Sequence, residues 1–151
     1  MKSQCGIILL VLAALIAIGN AVAHMACLYL GPDCYAAQLA PLQLVESAKN
    51  GTYLAPISAI VVSVIFVIWG LFALSATGII RKLPLLKFAI YAISTLCIIR
   101  GVLPLQFWLR HPEKVGDAAF YYGIAWLITG LLFLFGYLMV GNRRLENQTN
   151  E

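Results

Sequence analysis

Four apolar runs, Gly6–Leu30, Tyr53–Ile80, Leu83–Leu109 and Ala118–Val140, take up most of this 151-residue chain. A helix crosses a hydrocarbon layer about 30 Å thick with roughly 20 residues, and each run reaches that length. In lipid every backbone N–H and C=O must be satisfied within the protein, which leaves helices or a closed barrel. Barrel strands alternate apolar and polar residues; Ile7–Ile18 does not alternate. The expected fold is therefore all-α, an antiparallel four-helix bundle integral to a membrane. Short connections make successive spans neighbours.

The rest of the composition agrees with one membrane domain over residues 1–151. Charged residues make up 11% of the chain, against about 25% in a soluble domain. What lies outside the spans is a short N-terminus, three connections and a polar tail, 141–151, read as loose. The net charge of +4 does not point to nucleic acid, because the basic residues sit in the connections, where they orient a membrane protein. Lys2, Arg81, Lys82, Lys87, Arg143 and Arg144 fall on one side; Lys49, Arg110 and Lys114 fall on the other. This places both termini in the cytoplasm, across a plasma membrane or a bacterial inner membrane. The Gly31–Thr52 and Arg110–Asp117 loops are then outside. A cleavable export signal ending at Ala21-Val22-Ala23 is the rival reading of the first run. The run continues through Met25, Ala26, Leu28 and Leu30, which favours a span.

Span one carries Ala13, Ala17, Asn20, His24 and Cys27 at alternating intervals of four and three residues. Those positions share one helix face. Small and polar residues prefer protein to lipid, so this is the expected buried face. The first outer loop opens with Gly31-Pro32-Asp33, a turn signal. One short amphipathic helix is expected from Ala36 to Lys49, with Pro41 in its first turns. Asn50-Gly51 ends it.

Arg100, in the outer third of span three, is the strongest functional signal. A charge at mid-bilayer costs at least ~2.5–3.5 kcal/mol. Either its stem snorkels to the headgroups, or the guanidinium sits in the bundle and holds a carboxylate, phosphate or polarised carbonyl. Its candidate counter-ions are Glu46, Asp117, Glu113 and Asp33, all in outer loops; no span contains Asp or Glu. His24 is expected at similar depth, with Asn20 one turn below. With Gln106, Tyr121, Tyr122 and Trp126 these residues form the candidate ligand-binding cluster. The aromatics alone also fit an interfacial belt. Cys27 and Cys34 both face the outer side and are candidates for a disulfide in an oxidising compartment; two free thiols are the alternative.

In outline, four short helices with outer-loop cysteines resemble the quinone-linked disulfide-forming proteins. Those rely on a C-x-x-C pair and a second loop pair. Here the pair is Cys27 and Cys34, and the Arg110–Asp117 loop has no cysteine. Small multidrug exporters are similar in size, but their span-one glutamate has no counterpart here. No family follows from either likeness.

His24 and His111 are the histidines available to haem or metal and lack a second ligand motif, so no metal or cofactor is expected. Three functions fit the residues. The first is a small multi-pass, non-catalytic module binding a lipid, a quinone-like or anionic small molecule, or a partner helix at the outer polar cluster. The second is a subunit of an oligomeric small transporter or channel. The third is a membrane enzyme using His24 as acid/base and Arg100 as anion clamp; no second catalytic group is evident, so it ranks last. Membrane lipids are the expected partners, then a partner membrane subunit or a second copy of the chain.

Overall fold

The computed structural model describes residues 2–110 and 117–149, with side chains over 4–110 and 117–141. Residues 111–116 of the Arg110–Asp117 loop, with His111, Glu113 and Lys114, and the side chains of Arg143 and Arg144 lie outside the described residues. All regular structure described is helical: α1 Lys2–Leu30, α2 Pro32–Ala37, α3 Leu42–Lys49, α4 Leu54–Thr77, α5 Leu86–Arg110 and α6 Asp117–Thr149. Four stretches are long and apolar enough to cross a membrane: Gln4–Leu30, Leu54–Thr77, Leu86–Arg110 and Asp117–Gly141. The chain is an all-α membrane bundle.

Two compact units divide it. The first comprises Met1–Leu15 and Leu71–Glu151; the second is Ile16–Gly70. In the first unit α5 and α6 run antiparallel in backbone contact. A Cβ on Gly101 would lie 2.6 Å from the Leu127 nitrogen and 2.8 Å from the Gly123 oxygen. One on Gly130 would lie 2.9 Å from the Ser94 oxygen. The start of α1 meets α6 the same way, with a Cβ on Gly6 coming 2.9 Å from the Gly136 oxygen. Small residues let helices approach this closely where no hydrophobic force drives them together. The buried face of α5 is Leu86, Ile90, Ile93, Ser94, Cys97 and Gly101, at intervals of three and four on one side of the helix.

In the second unit the end of α1 packs on α4. The Ser63 hydroxyl donates to the Ala21 carbonyl at 2.9 Å. Cys27, Tyr35, Val45, Ala55 and Ala59 form the core. Ser47 at the end of α3 starts α4, its hydroxyl accepting the Ala55 N–H at 2.9 Å. That N–H is one of the donors a helix start leaves unpaired.

Four expectations change. The single amphipathic helix over 36–49 is two helices, α2 and α3, broken at Gln38–Pro41. Pro41 stands before α3 rather than inside it, because proline disfavours helical backbone at the residue before it; Leu39 takes a positive φ of 54°. α4 stops at Thr77 instead of Ile80, where Gly78 turns the chain at φ 86°. α5 begins at Leu86 instead of Leu83, after Pro84 and Leu85. Finally, α6 continues through the 141–149 tail. That stretch has no proline and no glycine beyond Gly141, and it contains the good helix formers Arg143, Arg144, Leu145, Glu146 and Gln148.

Candidate functional site

In the first unit, the glycine contact between α5 and α6 decides where Arg100 goes. Cys97 and Gly101 are buried against α6, so Arg100 emerges at the margin of the interface and remains exposed. Trp126, half-buried on α6, lies at the same level. The guanidinium carbon sits 5.1 Å from its ring centroid. A cation on an indole face gains about 0.5–1 kcal/mol at an exposed site and about 2 kcal/mol when desolvated, which offsets part of the insertion cost of an arginine in lipid. The π face does not satisfy the five N–H donors, which point outward in the guanidinium plane. Pro104 adds to the polarity: it has no N–H for the Arg100 carbonyl, its i−4 partner. Arg100 therefore combines a fork of donors with a backbone acceptor relieved of one helix bond.

The other expected partners of Arg100 are placed less closely. Gln106 is exposed and lies about a third of a turn away around α5, since six residues advance an ideal helix by about 600°. Tyr121, 69% exposed, belongs to an aromatic chain at the end of the α5–α6 pair. Its ring meets Phe120 at 5.7 Å, and Phe120 meets Trp108 at 4.7 Å. Tyr122 is half-buried one turn before Trp126 on α6. Asp117 starts α6 nine residues before Trp126, about 14 Å along the axis, too far to pair with the guanidinium.

The second unit holds the remaining candidates. Ala17 and Cys27 are each 1% exposed, and His24 and Asn20 are half-buried, so the α1 stripe is its inward face. The Asn20 amide donates to its own helix, at the Ile16 carbonyl, 2.9 Å away. His24 stacks on Phe66 with centroids 5.5 Å apart and planes 15° apart, and Phe66 meets Trp69 edge-on at 5.3 Å. His24 is thus part of an aromatic packing group. Cys27 and Cys34 are disulfide-bonded, with Cα atoms 5.2 Å apart. The bond ties α2 to the end of α1. Above it the Gln38 amide nitrogen donates to the Ala23 carbonyl at 3.0 Å and lies 2.9 Å from the Cys27 sulfur.

No family model matches the chain, and neither a curated protein nor a solved structure matches it.

Two features escaped the sequence reading. Gln38 is one helical turn after Cys34, a spacing that brings side chains together, and so was findable. The other is a cavity of about 800 Å³ beside the α4–α5 turn, with Lys82, Lys87, Tyr91 and Tyr137 in its wall. Sequence reasoning used its lysines only to orient the chain. Tyr137 lies on another helix, and only tertiary packing brings it there.

Proposed function

We propose that this chain is a non-catalytic, multi-pass protein of a plasma or bacterial inner membrane, with both termini cytoplasmic. It holds a headgroup oxygen of a lipid or quinone-like molecule at Arg100, in the outer half of the bilayer. The observation that supports this most is the guanidinium resting on Trp126 at 5.1 Å while Arg100 stays exposed. One face is stabilised by the ring and the donor edge is left for an acceptor. An enzyme reading finds less support, because the His24 ring packs on Phe66.

Lipid carried through purification tests the reading. One headgroup or quinone class should be enriched over the bulk membrane with the wild-type protein and lost with Arg100→Gln. Identical lipid profiles for the two proteins would sink it.

A further inference from the structure

We propose a second site, independent of Arg100. The turn between α4 and α5, with the facing part of α6, binds an anionic glycerophospholipid whose phosphate is held by Lys82 and Lys87. The site is the cavity of about 800 Å³ walled by Lys82, Lys87, Leu85, Phe88, Tyr91 and Tyr137.

Three observations carry the proposal. First, the turn is built rather than loose. The Ser75 side chain is 1% exposed; its hydroxyl donates to the Arg81 carbonyl at 3.1 Å and accepts the Leu83 N–H at 2.9 Å. Both bonds bracket Lys82 and hold its backbone over the end of α4. The Thr77 hydroxyl accepts the Ile79 N–H at 3.2 Å. Leu85 then takes a positive φ of 54°, which an L-residue rarely adopts, to bring the chain into α5. Second, positive charge is concentrated at this turn. Arg81, Lys82 and Lys87 lie within seven residues, and α4, the turn and α5 contain no Asp or Glu. Third, the walls are amphipathic. Tyr91 and Tyr137 meet edge to face at 5.9 Å across the α5–α6 seam, while Leu85 and Phe88 are 78% and 73% exposed.

A soluble anion would use the lysines and leave Leu85 and Phe88 bare. A phospholipid uses both, with phosphate at the ammonium groups and acyl chains against the apolar wall. Basic pockets at helix ends in membranes select anionic headgroups in this way. The site is separate from Arg100: Tyr91 precedes it by nine residues on α5, about 14 Å along the axis.

The test is equilibrium binding to the full chain in neutral detergent, read by native mass spectrometry. The probes are phosphatidylglycerol, phosphatidylcholine and soluble glycerol phosphate. Phosphatidylglycerol should bind at least about tenfold tighter than phosphatidylcholine, and millimolar glycerol phosphate should not displace it. The double variant Lys82→Gln/Lys87→Gln should lose about tenfold or more of that affinity, and Lys82→Arg/Lys87→Arg should keep it. Ser75→Ala loosens the turn without removing charge and should weaken binding roughly threefold. The loss caused by Lys82→Gln/Lys87→Gln should have the same size in an Arg100→Gln background, which separates the two sites. Equal affinity for both lipids, or unchanged affinity in the Lys→Gln double variant, would overturn the proposal. Displacement by glycerol phosphate would also overturn it, in favour of a soluble phosphate ester.

Discussion

Arg100 is tolerated in an apolar helix because Trp126 takes one face of its guanidinium. That account predicts coupling between the two. Trp126→Leu should cost about 1–2 kcal/mol in thermal or denaturant unfolding in detergent. Once Arg100 is already Leu, the same change should cost much less. Equal costs in both backgrounds would mean that the stack contributes nothing. The glycines divide in the same way. An alanine at Gly101 meets the α6 backbone, which cannot retreat like a side chain, and Gly101→Ala should destabilise by about 1–3 kcal/mol. Gly19, with nothing within 4 Å of an added Cβ, should accept alanine with no loss and gain up to about 1 kcal/mol from helix propensity.

Among the elements, the α2–α3 segment has the clearest local logic. It buries Tyr35 and Val45 against Ala55 and Ala59, Ser47 bonds it to the start of α4, and the disulfide holds it to α1. Closing so short a loop contributes about 2 kcal/mol through the unfolded chain. The Cys34→Ser variant, or reduction, should lower the melting temperature by a corresponding amount. Burial also pushes the Tyr35 phenol above its ordinary 10.0. The folded state then holds this proton more tightly than the unfolded state. Its contribution to stability is complete below pH 10 and is lost as pH rises through the folded value. Melting curves across that range should fall more steeply for wild type than for Tyr35→Phe; parallel curves would refute the assignment. The spans could be read from the sequence because twenty apolar residues permit little else in lipid. The break at Pro41 could not be placed, since a proline fits either the first turn of a helix or the residue before it.

At the scale of the whole molecule, the chain exposes large apolar side chains such as Leu15, Val22, Ile57 and Phe107 along its long helices, as lipid contact requires. Of the candidate site, Arg100 could be singled out in the sequence because a charge in a span is expensive. Its partner was less so. Trp126 was grouped with Tyr121 and Tyr122 by its place in the chain, and which aromatic lies at the level of Arg100 depends on the α5–α6 register. That register is set by Gly101, Gly123 and Gly130, whose pairing only the fold reveals. His24 shows the same limit: its depth in the bilayer could be read from the sequence, and its stacking on Phe66 depends on how α1 packs on α4.

The most direct test of Arg100 as a ligand-binding group uses its neighbour as reporter. With Trp69→Phe and Trp108→Phe, Trp126 is the remaining tryptophan, and its fluorescence can be titrated with a short-chain quinone and with phosphatidylglycerol. Saturable quenching or shift by one of them is predicted, weakened at least about tenfold by Arg100→Gln and unaffected by Lys82→Gln/Lys87→Gln. The same curve with and without the guanidinium would contradict the account.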